Sequence, residues 1–116
     1  ETDYYKRAVQ LFPNEKYLVF CRDRQNPDQD DADKKWCYEN LPLLISHDFD
    51  LCWLSDETDE LNEMASCKGI IMANSSFSWW GAYLGDTEKR AVCPKIEDWF
   101  VDKQPRVELL ESWIKL

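Results

Sequence analysis

Apolar residues along this chain fall in short blocks with two kinds of spacing. Tyr5, Ala8, Val9 and Phe12 recur on one helical face, so residues 3–12 are predicted as a helix. Thr2 or Asp3 can cap it and Pro13-Asn14 ends it. Tyr17-Leu18-Val19-Phe20-Cys21 is a continuous apolar run of strand length, expected to be buried on both faces. Residues 22–31 hold Pro27 and no other apolar residue, which predicts a loop long enough to be functional or mobile. Residues 32–41 read as a helix turning Trp36 and Cys37 inward and stopped by Pro42, with Leu43-Leu44-Ile45 either a short strand or a buried loop. Asp50-Leu51-Cys52-Trp53-Leu54 is the next strand. Ser55 or Asp56 opens a helix over 57–67, with Leu61, Met64, Ala65 and Cys67 inward and Gly69 as its stop. The strand Gly69-Ile70-Ile71-Met72-Ala73 follows, then a helix over 77–84 closed by Gly85-Asp86. Arg90-Ala91-Val92-Cys93 is a last short strand ended by Pro94, and residues 107–116 are expected to form a terminal helix.

This alternation of helix and strand predicts an α/β fold with parallel strands and helices on both faces. Residues 1–116 contain no repeat or linker, so one domain is expected. Ligands of such sheets sit at the carboxyl ends of the strands. The segment after Cys21 and the junction after Ala73 both fall on that edge. At the junction, Asn74-Ser75-Ser76-Phe77-Ser78-Trp79-Trp80 puts small polar residues where a strand hands over to a helix. Ser75 or Ser76 can be an ordinary N-cap. The same hydroxyls, with the free N–H groups and positive dipole end of the first turn, can instead wrap a diphosphate. Asp23 is either a solvated loop carboxylate or an acceptor for a ribose or guanine. Glu60 is either a ligand group or a stabiliser of its helix N-terminus. Trp79 and Trp80 cannot share one helix face, so one of them is expected to line the cleft.

Composition narrows the partners. The formal charge of −9 over 116 residues argues against nucleic acid, whose phosphates need clustered Lys and Arg. It leaves room for a phosphorylated small molecule held by local N–H groups. The acidic runs at residues 28–33 and 56–63 read as solvated loops or helix starts. No apolar run approaches the roughly 18 to 20 residues of a membrane helix. With only three glycines, none in a GxGxxG or P-loop spacing, neither a nicotinamide nor an ATPase site is indicated. The five cysteines, Cys21, Cys37, Cys52, Cys67 and Cys93, have neither metal-site nor disulfide-framework spacing and read as buried thiols. The single histidine, His47, gives none of them a supported catalytic base.

The stretch from Asp59 to Phe100 resembles the C-terminal half of the α-1,2-fucosyltransferase-like enzymes, glycosyltransferase family 11. Met64-Ala65-Ser66-Cys67-Lys68 and the run from Ile70 to Leu84 carry the resemblance, with Pro94-Lys95 and Trp99-Phe100 similar to a later element. Tyr4-Tyr5-Lys6-Arg7-Ala8, Phe20-Cys21-Arg22-Asp23 and Trp36-Cys37 look like upstream elements. The resemblance implies a Rossmann-like three-layer domain, one half of a GT-B-type enzyme. It implies a GDP-fucose donor, transfer to a glycan hydroxyl with inversion, and no metal or other cofactor. Carried over residue by residue, Ser75, Ser76 and the Phe77 N–H hold the diphosphate, Asn74 shapes the turn, and Asp23 lies near the nucleoside; Glu60 and Ser78 complete the candidate donor set.

The departures from the family pattern are specific. Cys21 and Arg22 stand where Ser and Asp are usual, the gap from Asp23 to Trp36 is longer, and Gly69 stands where His is common. Glu60, with Asp59 beside it, stands near an expected Asp. The His-x-Arg element, whose Arg neutralises the leaving diphosphate, is absent, so no catalytic residue is assigned in this chain. The expectation is the donor-binding part of a longer fucosyltransferase, itself transferring little or nothing. The glycan acceptor would be bound by another domain, and the parent would be cytoplasmic or membrane-associated, Golgi-like in a eukaryote. The alternative is a degenerate Rossmann-like binding domain that has lost the donor.

Overall fold

A computed structural model describes residues 2–21, 26–45, 49–52, 54, 56–85, 89–101, 104–105 and 108–116. The chain begins with α1 (Thr2–Val9) and β1 (Tyr17–Val19), followed by α2 (Pro27–Leu44), β2 (Phe49–Leu51) and α3 (Glu57–Ser66). Then come β3 (Gly69–Ile71), α4 (Ser76–Leu84), β4 (Arg90–Cys93) and a 3₁₀ turn (Ile96–Trp99). The short strands β5 (Phe100–Val101), β6 (Gln104–Pro105) and β7 (Ile114–Lys115) complete it. The helix and strand alternation read from the sequence is present through β4.

Parallel pairing dominates. β1 pairs with β2 in the register Leu18 to Asp50, and β3, β4 and β7 form a three-stranded parallel sheet in that order. Among the described residues these are two separate sheets rather than one continuous sheet. Side chains of successive strand residues point to opposite faces, and both faces of the three-stranded sheet are covered. Ile70, Met72, Ala91 and Cys93 pack with Met64 of α3 and Ala82 of α4. Ile71, Val92 and Ile114 meet Tyr4, Ala8 and Phe12 on the other face. Helices therefore lie on both sides of this sheet, α1 on one and α3 with α4 on the other. A further cluster lays Cys37, Leu41 and Ile45 over Tyr17, Val19, Phe49 and Leu51 of β1 and β2.

Three expectations are corrected. First, the stretch read as a loop to residue 31 is helical from Pro27. The Asn26 side chain accepts the Gln29 N–H at 3.1 Å, Pro27 needs no N–H at the first helical position, and Asp28 and Asp30 favour the dipole's positive end. Second, Pro42 does not stop α2. It lies in the last turn, the helix runs on to Leu44, and the Ile45 N–H closes it on the Leu41 carbonyl at 2.8 Å. Third, no terminal helix forms among the described residues 108–116. The segment around Leu109 and Trp113 packs into the core and delivers β7 beside β4, where sheet pairing outweighs a weak helical pattern. Gly69 begins β3, as the strand pattern predicts, two residues past the Cys67 that caps α3. A side chain there would run into the Phe12 ring and the Arg90 carbonyl.

Helices α3 and α4 run parallel and in close contact. A side chain at Gly81 would strike Met64. The Lys89 ammonium donates to the Met64 and Ala65 carbonyls ending α3, and to the Gly81 carbonyl of α4 at 3.4 Å. One cation thus serves the negative ends of both helix dipoles. The opposite ends of both helices, with Glu60 and Ser75, consequently face one edge of the molecule.

Candidate functional site: the β3–α4 junction

The junction stands at the carboxyl end of β3. After Ile71 the Met72 N–H still donates to the Val92 carbonyl at 2.8 Å, so the chain leaves the sheet at Ala73. Asn74 reaches sideways, its Nδ2 donating to the Asp98 carbonyl at 3.3 Å, which ties the junction to the 3₁₀ turn beyond β4. Ser75 is the N-cap of α4, and its Oγ accepts the Ser78 N–H at 3.3 Å. The two hydroxyl oxygens lie 3.0 Å apart. Ser78 Oγ is also within 2.9 Å of the Ala73 carbonyl and 3.0 Å of the Ser75 carbonyl. Its single proton can serve only one of these at a time. Ser78 is 7% exposed, and its hydroxyl belongs to this internal knot.

The Trp79 N–H joins the helix by donating to the Ser75 carbonyl at 3.1 Å. The N–H groups of Ser76 and Phe77, in the first turn, have no acceptor within the helix. α4 carries no acidic residue in its first turn, whereas α2 has Asp28 and Asp30 and α3 has Glu57, Asp59 and Glu60. Its positive dipole end is therefore not offset by its own side chains, which suits an anion. The geometry thus contains both sequence-level alternatives at once: a capped helix, and two backbone donors at an uncompensated N-terminus.

Glu60 is 2% exposed, in the first turn of α3. Met64 lies one turn further along α3 and abuts Gly81, which lies one turn beyond Phe77 in α4. The parallel helices therefore hold Glu60 and the junction at the same end. Asp23 lies outside the described residues, as does the side chain of Ser76. Trp79 turns inward, stacked on Tyr83 at 5.1 Å, edge-on to Trp113 at 5.8 Å, and donating from Nε1 to the Glu108 carbonyl at 2.8 Å. Trp80 is the outward one, 47% exposed.

Tyr4 buttresses the site from below. Its hydroxyl donates to the Met72 carbonyl at 2.6 Å and lies 3.2 Å from that of Val92, joining α1 to the ends of β3 and β4. Burial, reinforced by Tyr5 and Cys93, pushes its phenol well above the usual range. Periodicity left Tyr4 off the helix face it identified. Sequence reasoning also passed over Lys115, which with Lys95, Ile96, Glu97 and Leu109 lines an open cavity of about 510 Å³ beyond the ends of β4 and β7. Lys115 Nζ donates to the Leu110 and Glu111 carbonyls at 2.6 and 3.1 Å. Two lysines at the carboxyl ends of apolar strand-like segments in an acidic chain were the available signal. Among the described residues, no group of three or more His, Cys, Asp or Glu side chains could hold a metal, and no helix is long and apolar enough to cross a membrane.

A polar strand-to-helix junction at the carboxyl end of a parallel strand is the place where α/β domains commonly take their ligands. The family model of glycosyl transferase family 11 matches residues 2–116, and the chain belongs to that family. It is 30% identical over 121 residues to the O-antigen biosynthesis glycosyltransferase WbnK of Escherichia coli, covering 98% of this chain and 36% of that protein. It is 39% identical over 54 residues to an alpha-1,2-colitosyltransferase of Escherichia coli, covering 45% of this chain and 19% of that protein. The chain thus spans about a third of the length of the first relative. No solved structure matches it.

Proposed function

We propose that this chain is the donor-binding portion of a fucosyltransferase-like enzyme that transfers fucose from GDP-fucose to a glycan hydroxyl with inversion. The observation that carries this reading is the β3–α4 junction, lying within a family match that runs from residue 2 to 116. The donor's diphosphate would rest on the Ser76 and Phe77 N–H groups, with the Ser75 and Ser76 hydroxyls beside it. Asn74 would hold the turn open through Asp98, and Ser78 would fix the knot from within. Asp23 would lie near the nucleoside, and Glu60 at the same end of the helix pair. No group of this chain is assigned the acid or base role. The acceptor would be held by other parts of a longer GT-B-type protein, of which residues 1–116 form one Rossmann-like domain. Alone, the chain should bind weakly and transfer little or nothing.

Titration of the isolated chain with GDP, followed by amide NMR, tests this. Saturable shifts centred on residues 74–78 are expected. GDP separates the nucleotide from the sugar, which matters because one relative is named for colitosyl transfer. The second reading, a degenerate domain without a donor, is favoured by the way Ser75 and Ser78 engage each other in capping the helix. Absence of any shift at millimolar GDP, with the chain folded, would establish that reading instead.

A further inference from the structure

The carboxyl edge of the three-stranded sheet carries a concave feature beside the junction. β4 ends at Cys93, which pairs with Lys115 of β7, and Lys95 follows two residues later. This register brings both lysines to one end of the sheet. There, with Ile96, Glu97 and Leu109, they line the open cavity of about 510 Å³. Its size falls within the roughly 300 to 1,000 Å³ of small-molecule sites. Hydrogen bonds fix the wall that carries Lys95. The Lys95 carbonyl accepts the Asp98 N–H at 3.0 Å, and the buried Trp99 donates from Nε1 to the Pro94 carbonyl at 3.0 Å. Both walls are also tied to the junction. Asn74 bonds the Asp98 carbonyl, one residue past Glu97, and Trp79 bonds the Glu108 carbonyl, one residue before Leu109. The cavity therefore adjoins the junction along the same edge.

The charge of the lining selects among ligands. Lys115 Nζ donates to two neutral carbonyls, those of Leu110 and Glu111, so its positive charge is not cancelled and one N–H remains. Among the described residues, Glu97 forms an ion pair with neither lysine, although all three line the same cavity. Two ammonium groups and one carboxylate leave one positive charge in excess, in a chain whose net charge is −9. That excess matches a monoanion such as a carboxylate, whereas a diphosphate would be repelled by Glu97. Ile96 and Leu109 add apolar surface for the C–H face of a ring, and Glu97 can accept from hydroxyls. A carboxylate, a C–H face and hydroxyls on one small ring are the chemistry of an acidic sugar. We propose that this cavity binds a carboxylate-bearing pyranose of an acidic glycan, with Lys95 and Lys115 on the carboxylate and Glu97 on a ring hydroxyl. The unit lies beside the junction, and the rest of the glycan is held elsewhere. Both lysines remain exposed, so millimolar affinity is expected. The inference does not depend on the donor reading.

The experiment titrates the full 116-residue chain with the methyl glycosides of glucuronic acid and of glucose, which differ only at the carboxylate, and follows amide shifts. Saturable shifts centred on residues 95–97, 109 and 115 are expected with the glucuronide. The glucoside and sodium acetate should each bind about tenfold more weakly, because each lacks one half of the recognised chemistry. Lys95→Gln, at an exposed position, should weaken the glucuronide by about tenfold and leave the denaturation midpoint unchanged. GDP shifts at residues 74–78 are read separately, so either site can fail without the other. Glucuronide shifts that are absent, matched by the glucoside or acetate, or unchanged in Lys95→Gln would each overturn the proposal. Inorganic phosphate displacing the glucuronide at lower concentration would overturn it too, in favour of a phosphate site.

Discussion

Ser75 has one hydroxyl and two demands on it. As N-cap its oxygen accepts the Ser78 N–H, and in the proposed site it lies beside a diphosphate. The two roles separate by substitution. Ser75→Ala should destabilise the chain by about 1 kcal/mol, the usual cost of a lost cap, and also weaken GDP binding. Ser75→Asp keeps a capping oxygen and favours the helix dipole, so stability should hold. The new carboxylate should nonetheless repel a diphosphate and remove the GDP shifts. Chemical denaturation and the same NMR titration measure both halves, and unchanged GDP binding in Ser75→Asp would take the phosphate away from this junction. Tyr4→Phe isolates a purely structural contact. It leaves the Met72 carbonyl without its buried donor and should cost about 1 to 3 kcal/mol, read as a shifted denaturation midpoint, with no effect on GDP affinity per folded molecule. The serines were legible because small polar residues between an apolar strand and an apolar helix have few other reasons to occur. Tyr4 was not, because its partners are carbonyls 68 and 88 residues away and leave no trace in local spacing.

At the level of elements, the parallel pair α3 and α4 depends on Gly81. Its missing side chain lets Met64 lie against the α4 backbone. Gly81→Ala adds a methyl where Met64 already stands, and overpacking of this kind costs about 1 to 3 kcal/mol. Set against it is the roughly 1 kcal/mol by which Ala is the better helix former, so the net change in the single variant is small or unfavourable. Shortening the neighbour should therefore rescue: Gly81→Ala with Met64→Ala should be more stable than the sum of the two single changes predicts, as a double-mutant cycle in urea would show. Simple additivity would mean that the helices do not meet there. The strands and helices with apolar faces were readable from spacing through β4, except that Trp36, read as inward beside Cys37, is 38% exposed. The start of α2 was not, because its first turns are all polar and solvated, so a helix with an Asn cap looked like an inserted loop. Pro42 misled in the opposite direction. A proline near a helix end removes little, and packing of Leu41 and Ile45 carried the helix past it. The last segment was misjudged for a third reason. β7 is two residues long, and its place beside β4 is set by tertiary pairing.

On the scale of the whole molecule, the groups at the centre of the three-stranded sheet make stability depend on alkaline pH. Cys93 ends β4 and is fully buried between the α3–α4 layer and the sheet, and its carbonyl accepts the Leu116 N–H at 3.0 Å. Burial pushes its thiol up from 9.0 to about 11, against a smaller opposing pull from Lys115. The Cys67 thiol is raised as well, again chiefly by burial. A raised pKa means that the folded chain keeps its proton where the unfolded chain has released it. Below pH 9 both states are protonated, so the full stability is present. Between pH 9 and about pH 11 the unfolded chain loses protons that the folded one retains, so unfolding becomes easier with every increment of pH. Above that window the buried Tyr4 phenol, raised by its own burial, continues the same trend. Urea midpoints measured under reducing conditions should therefore be flat up to about pH 8, ahead of the 9.0 at which an unburied thiol ionises, and should fall steadily beyond it. Cys93→Ala should be less stable at neutral pH, because it leaves a small void, but should show a shallower fall across the same window. An equal slope in the two proteins would mean that the thiol at the centre of the sheet ionises as freely in the folded chain as in the unfolded one, and that this core is open to water.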